Sequence, residues 1–242
     1  MTRLFLFAGQ SNMVGSGAQS KELPEHVRAH CSKVELFEDG SLRHVLWKET
    51  FGPEVGVAEW ATQAFPDERV VFCKVARGAS NLYYDWNPDG VSRGDEDAYR
   101  GPLYPRLVDA YEKLAKETDQ SRVAGFFWMQ GERDSVFEFM ARAYHERLGE
   151  LVEAVRDLVG RPTLPVVIGQ IAPRVYRLEQ QRFHHTHRAA VQQAQRDLAE
   201  QENHVALAEA ADLPQSDNLH FDTGGQLELG RRFAREMAKL LR

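Results

Sequence analysis

The sequence predicts an α/β fold, a three-layer α/β/α sandwich built around a five-stranded parallel sheet. Five short apolar runs recur along the chain: Leu4–Ala8, Arg69–Ala76, Val123–Met129, Leu164–Ile171 and His204–Ala208. They lack strict polar alternation, as strands buried on both faces do. Helix-length segments separate them, and a strand–helix–strand series of this kind builds a parallel sheet. The 242 residues, 43% hydrophobic and 27% charged, suffice for one sizeable core and suit a single domain over 1–242.

The first run, Leu4-Phe-Leu-Phe-Ala8, stops at Gly9-Gln-Ser-Asn12, a small-residue turn. It is too short for a secretory signal and reads as strand one. Residues 20–31 are weakly helical. Val34–Glu38 and Leu42–Lys48 flank Asp39-Gly40, a hairpin signal, and are expected to form an excursion from the main sheet. Glu54–Phe65 is a helix opened by Pro53 and stopped by Pro66. After the second strand, residues 77–101 carry Gly78, Gly90, Gly94, Gly101 and Pro88 with no clear period. A loop of that length is more often functional or disordered than idle, and Tyr83, Tyr84, Trp86 and Tyr99 favour an ordered one. Helices are then expected at 102–118, 136–159 and 178–201, with Thr223 capping a last one that runs to Leu241.

The net charge of −6 disfavours nucleic acid or an anionic membrane as the main partner. No apolar stretch approaches the roughly 18 residues of a membrane helix. Two cysteines, Cys31 and Cys73, make no disulfide framework, and a reducing, cytoplasmic setting is the simpler expectation.

In a parallel sheet every strand points its carboxyl end to one edge, where open α/β sheets bind ligands. Four segments gather there: Ser11 after the first strand, Gly78 after the second, Gln130-Gly-Glu132 after the third, and the 209–222 loop after the fifth. That loop contains Asp217-Asn-Leu-His220. A serine hydroxyl needs a positioned base, and a histidine base needs a carboxylate on its other nitrogen. Ser11, His220 and Asp217 supply these three roles. The Ser11 and Gly78 N–H groups with the Gln130 side-chain amide are the candidate oxyanion donors, each such donor being worth roughly 2.7–4 kcal/mol in acyl transfer.

Gly9-Gln-Ser-Asn12, Gly78, Trp128-Met-Gln-Gly-Glu132 and Asp217-x-x-His220 stand in the order and rough spacing of four sequence blocks. Together they resemble the SGNH (GDSL-like) hydrolase superfamily, in the branch of sialate O-acetylesterases and acetylxylan esterases. The tail from Asp217 through Phe233 is similar to that branch as well. The resemblance implies a flavodoxin-like fold, cofactor-free ester hydrolysis through an acyl-enzyme, and carbohydrate-linked acetyl groups as substrate. It implies Ser11 as nucleophile, His220 as base, Asp217 as its orienter, and Gly78 and Gln130 as oxyanion donors. Two departures are visible: Gln130 stands where the superfamily usually has asparagine, and Arg77-Gly-Ala-Ser80 replaces a frequent double glycine.

Other readings stand beside these. Ser80, in Gly78-Ala-Ser-Asn81, is a rival nucleophile ranked behind Ser11. Glu132 is a second carboxylate for His220 or a support at the strand end, with Asn12 as a further support. Arg77, Ser80, Asn81, Tyr83 and Trp86 are candidate substrate contacts, with Arg93 and Arg100 as further cations; the aromatics either stack on a sugar or pin the loop. His184, His185 and His187 lack the ligand spacing of a zinc site and are expected on a solvated helix face. No metal or organic cofactor is called for. A broad small-ester hydrolase or thioesterase is the alternative within enzymes, and a catalytically silent sugar-binding module the alternative outside them.

Overall fold

The computed structural model describes residues 2–89, 100–118, 121–173, 184–217 and 219–242. The expectations for Gly90, Arg93, Gly94, Tyr99 and residues 178–183 lie outside the described residues, as does Asn218.

The strands are β1 (Thr2–Gly9), β2 (Val34–Glu38), β3 (Ser41–His44), β4 (Arg69–Ala76), β5 (Ser121–Met129), β6 (Val166–Gly169) and β7 (Val205–Ala208). The helices are α1 (Ser11–Val14), α2 (Glu25–Cys31), α3 (Glu54–Ala64), α4 (Leu103–Glu117), α5 (Glu138–Leu158), α6 (Arg188–Gln201) and α7 (Thr223–Leu240). All seven strands form one sheet in the order β3-β2-β4-β1-β5-β6-β7. The five expected strands, β1, β4, β5, β6 and β7, are mutually parallel and lie in the flavodoxin-like spatial order second-first-third-fourth-fifth. The switch point of that order falls between β1 and β5.

The sheet is larger than expected. The 34–48 hairpin does not leave it: β2 pairs in parallel with β4, Val34 opposite Val70 and Leu36 opposite Phe72, and β3 closes the edge antiparallel to β2. Val34, Leu36 and Phe37 are buried, so the hairpin extends the apolar face rather than standing off it. Helices α3 and α7 pack together on one side; α5 and α6 pack together, and α4 lies against β4 and is bonded to α5 through Tyr104 Oη and the Ala154 carbonyl (3.0 Å).

Leu4 through Ala8 are fully buried, which explains the unbroken apolar run at the sheet's centre. Phe7 stacks on Phe127 of β5 (4.7 Å between ring centres), and Phe127 on Phe233 of α7 (5.4 Å). Burying each such side chain contributes roughly 1.5–3 kcal/mol, so the strand that delivers the serine turn is anchored through both sheet and helix layer.

Two boundaries differ from expectation. In the described residues α6 begins at Arg188, and residues 184–187 form a non-helical approach to it. The cap of α7 is Asp222, not Thr223: its Oδ1 accepts the Gly225 N–H (2.8 Å). Among the described residues no helix is long and apolar enough to cross a membrane.

Candidate active site

The serine turn is shaped by the close approach of β1 and β5. Gly9 has φ +155°, and a Cβ there would sit 2.0 Å from the Met129 carbonyl oxygen, so only glycine fits. Gln10 N–H donates to that same carbonyl (3.0 Å), and the chain then turns into α1. Ser11 is the first residue of α1, 6% exposed, and in that position its N–H has no intrahelical acceptor.

The histidine loop is organised by Asp217. Its Oδ1 accepts the N–H groups of Leu219 (2.7 Å) and His220 (2.6 Å), while Oδ2 meets His220 Nδ1 at 2.7 Å. An Nδ1–H held by a carboxylate leaves Nε2 as the ring's proton acceptor, the tautomer a general base needs. Burial pulls the Asp217 carboxyl upward, but the hydrogen bonds from the His220 ring and the two amides outweigh it and hold it below the usual aspartate value.

Asn12 joins the two ends of the chain. Its Nδ2 donates to the Leu219 carbonyl (3.2 Å) and its Oδ1 accepts the Phe221 N–H (3.2 Å), so both neighbours of His220 are tied to the residue beside Ser11. Gln226 Nε2 donates to the Asn12 carbonyl (2.8 Å). Gly17, at φ +101°, admits the loop so closely that a Cβ would lie 2.4 Å from Ser216 Oγ and 3.1 Å from His220 Cβ. Glu132 Oε1 accepts from Asn12 Nδ2 at 2.6 Å and is fully buried with it. The Glu132 partner is therefore Asn12, and the carboxylate against the His220 ring is Asp217.

Gln130 is engaged differently from expectation. It is 0% exposed, and its Nε2 faces three acceptors: Gln10 Oε1 (3.1 Å), the Ser80 carbonyl (3.1 Å) and Asp134 Oδ2 (2.5 Å). An amide with two hydrogens and three protein acceptors has none to spare for a developing oxyanion. Gln10 Oε1 also accepts the Gly131 and Arg133 N–H groups (3.3 and 3.2 Å), stitching the serine turn to the third strand end. Asp134 in turn holds the Leu82 and Tyr83 amides. Its complete burial pushes the carboxyl up to about 7 against those hydrogen bonds.

Arg77 N–H donates to the Gly9 carbonyl (3.1 Å), which brings the segment after β4 alongside the serine turn. Arg77 and Gly78 are exposed there, and a Cβ at Gly78 would meet no atom within 4 Å. Ser80, Asn81 and Trp86 point inward, which corrects their expectation as substrate contacts. Trp86 donates to Ser80 Oγ (3.1 Å) and packs edge-to-face on Trp128 at 5.2 Å. Asn81 is bound by Asp85 through its N–H (2.8 Å) and Nδ2 (3.1 Å). Asp85 also accepts the Arg100 N–H (2.5 Å), tying the two described ends of the long loop together. These three residues pin the loop; Tyr83 alone of the four partly faces solvent beside Tyr84. Ser80, buried with its Oγ committed to Trp86, is no rival to Ser11.

A second serine–histidine contact lies behind the third strand end. Ser135 Oγ donates to the Glu132 carbonyl (2.7 Å), and His185 Nδ1 lies 2.6 Å from that carbonyl and 3.1 Å from Ser135 Oγ. A ring nitrogen that close to a carbonyl oxygen must carry the proton, so Nδ1 cannot take one from Ser135. Burial, with Arg188 nearby, pushes the His185 ring down to about 4 and keeps it neutral. The pair is a strut that fixes Glu132. It also corrects the expectation that His185 lies on a solvated helix face. Among the described residues no group of three or more His, Cys, Asp or Glu side chains is arranged to hold a metal ion.

Sequence reasoning missed one feature of the site: beneath the turn, Lys74 of β4 and Glu54 of α3 form an ion pair at 2.8 Å, each side chain 2% exposed. Glu54 Oε1 also accepts the Gly52 N–H (2.9 Å), and Gly52 packs on the Met13 carbonyl. An acidic first-turn residue and a lysine inside an apolar strand were the traces such a pair leaves.

A family model described as "Carbohydrate esterase, sialic acid-specific acetylesterase" matches residues 1–239. A protein of Arabidopsis thaliana named as a probable carbohydrate esterase is 24% identical, over 96% of this chain and 88% of its own length. The crystal structure of that Arabidopsis protein superposes with a TM-score of 0.75 at 22% identity, covering 98% of each chain. A carbohydrate acetylesterase from Xanthomonas citri superposes with a TM-score of 0.70 at 16% identity, covering 98% of this chain and 56% of that one. The two structural likenesses speak for the fold.

Proposed function

The chain belongs to the carbohydrate esterase family of sialic acid-specific acetylesterases, and from that premise we propose that it removes acetyl groups from sugar hydroxyls through an acyl-enzyme on Ser11. It is a carbohydrate esterase of the serine-hydrolase type. Ser11 Oγ attacks the ester carbonyl as His220 Nε2 takes its proton, and Asp217 holds the ring and stabilises the imidazolium. The Ser11 and Gly78 N–H groups receive the oxyanion, and open space at Gly78 leaves room for the acyl group. His220 returns the proton to the departing sugar oxygen, and water repeats the sequence on the acyl-enzyme, releasing acetate.

The observation that carries this reading is Asn12, which binds both neighbours of His220 while adjoining Ser11. Gln130 enters as the brace between Gln10 and Asp134 rather than as a donor to substrate. O-acetylated sialic acids lead the substrate class, with acetylated xylan-type sugars behind them. A single esterase domain in the cytoplasm is part of the same reading, supported by Cys31 and Cys73, buried free thiols with pKa values pushed up to about 12 by burial. Acetate release from a panel of acetylated sialic acids, xylose and xylo-oligosaccharides, run beside Ser11→Ala, tests it. The wild type should release acetate from at least one sugar, and Ser11→Ala should lose on the order of 10⁴–10⁶-fold in kcat. Turnover that survives in Ser11→Ala would refute it.

A further inference from the structure

We propose that a cavity beside the serine turn, walled by Arg77, Arg106 and Lys113, is a subsite for the carboxylate of an acidic sugar. The assignment rests on the esterase reading above and adds to it the residues that tell acidic from neutral acetylated sugars.

Strand alternation places the first cation. Lys74 turns to Glu54 of α3, so Val75 and Arg77 face the opposite side of the sheet, where α4 lies against β4. On α4, Arg106 and Lys113 stand two turns apart and share one helix face. Helical side chains lean toward the helix N-terminus, which brings Lys113 toward Arg106. Between these elements and the Phe37–Gly40 turn of the β2–β3 hairpin lies a cavity of about 240 Å³.

Its charges are unbalanced. Glu38 and Asp39 also line it, and Lys48 holds both, at 2.9 and 3.4 Å. The Lys74 ammonium is held by Glu54 at 2.8 Å. Three cations are left facing Asp109 alone. Among the described residues, the side chains of Arg77, Arg106 and Lys113 make no hydrogen bond or ion pair. Elsewhere on the surface Arg69, Arg142, Arg232 and Lys239 are each bonded to a carboxylate. On a chain of net charge −6, a concave site that keeps its cations unpaired attracts an anion.

Position and size choose among anions. Arg77 N–H donates to the Gly9 carbonyl (3.1 Å), and the next residue, Gly78, offers the proposed oxyanion N–H. Consecutive Cα atoms lie about 3.8 Å apart, so an anion on Arg77 and the ester under attack fit within one sugar. The cavity is smaller than the roughly 300 Å³ at which pockets for drug-sized ligands begin, and it suits the acidic end of a single ring. Two guanidinium forks match the two oxygens of a carboxylate.

The test compares kcat and KM of the full chain, Arg106→Gln, Arg106→Lys and Lys113→Glu. Substrates are O-acetylated sialic acid, its carboxyl methyl ester and acetylated xylose, read by acetate release, with 4-nitrophenyl acetate as a sugar-free control. In wild type the KM of the acid should lie roughly tenfold below that of its methyl ester, the worth of one charge-assisted contact. The gap should narrow in about 0.5 M salt, which screens exposed charges. Arg106→Gln and Lys113→Glu should close it by raising the KM of the acid alone, and Arg106→Lys should keep part of it. Equal KM values for acid and methyl ester in wild type would overturn the subsite and leave the esterase intact. An equal change across all substrates in both Arg106→Gln and Lys113→Glu, or acetate from xylose and none from the acid, would do the same. Equal KM values beside sulfate binding that Arg106→Gln abolishes would assign the cavity to a free anion instead. Cleavage of the nitrophenyl ester with no acetate from any sugar would defeat the carbohydrate reading and the subsite with it.

Discussion

Replacing Asn12 by alanine removes three hydrogen bonds at once: to Glu132 Oε1 (2.6 Å), to the Leu219 carbonyl (3.2 Å) and from the Phe221 N–H (3.2 Å). Among the described residues Glu132 Oε2 is already buried without a hydrogen-bond partner, so the variant leaves the whole carboxylate buried with no donor from them. A buried polar group stripped of its partner costs about 1–3 kcal/mol, and a charged one more. With the Phe221 amide also orphaned, the expected loss is about 3–6 kcal/mol, which a typical domain can survive. The released loop carries His220, and displacing a catalytic group by about 1 Å can cost 10²-fold. Urea unfolding and acetate-release kinetics read the two effects separately. Stability should fall by that amount, and kcat by roughly 100-fold with KM little changed. Removing Glu132 as well should restore part of the stability, since the stranded charge goes with it, giving a favourable coupling of about 1–3 kcal/mol in a double-mutant cycle. Additive losses in the cycle, or Asn12→Ala with kcat within threefold of wild type, would refute the reasoning.

Ser135→Ala should cost about 1 kcal/mol in unfolding experiments and leave kcat within a few-fold, because its hydroxyl only braces the Glu132 carbonyl. Lys74→Met should destabilise the protein by about 3–5 kcal/mol by stranding buried Glu54, and Lys74→Met/Glu54→Gln by less than that single change. Asp134 binds its proton more tightly folded (about 7) than at its ordinary value of 3.8. Its contribution to stability is thus full below pH about 4 and lost as pH rises through about 7. Measured from pH 4 to 7, wild type should lose roughly 1.4 kcal/mol per pH unit relative to Asp134→Asn; parallel curves would contradict this. His185 acts with the opposite sign: its folded value of about 4 lies below 6.5, so its contribution is lost as pH falls from 6.5 toward 4, and His185→Gln should flatten that limb.

The central strands were legible because burial on both faces writes an uninterrupted apolar run, as Leu4–Ala8 does. Gly9-Gln-Ser-Asn12 and Asp217-x-x-His220 were legible because their chemistry is local: a turn that requires glycine, and a carboxylate three residues from the ring it holds. The 34–48 hairpin was recognised by its Asp39-Gly40 turn, but its place in the sheet depends on Val34–Phe37 pairing with Val70–Cys73, which no local signal encodes. The direction of loop side chains was likewise invisible. Trp86 and Asn81 look like ligand contacts by composition, and only Asp85 and Trp128, met in the folded state, turn them inward. The partners of Gln130 were invisible for the same reason: Asp134, four residues on, accepts from the amide that the superfamily pattern suggested for substrate.

The proposed chemistry requires Ser11 to be the residue that the His220 imidazole activates. Reaction with a fluorophosphonate ester, followed by peptide mass spectrometry, measures that directly. One adduct per chain should form on Ser11, with labelling suppressed in His220→Ala and absent in Ser11→Ala. An adduct on Ser135 or Ser80, or labelling of Ser11 at the same rate without His220, would contradict it.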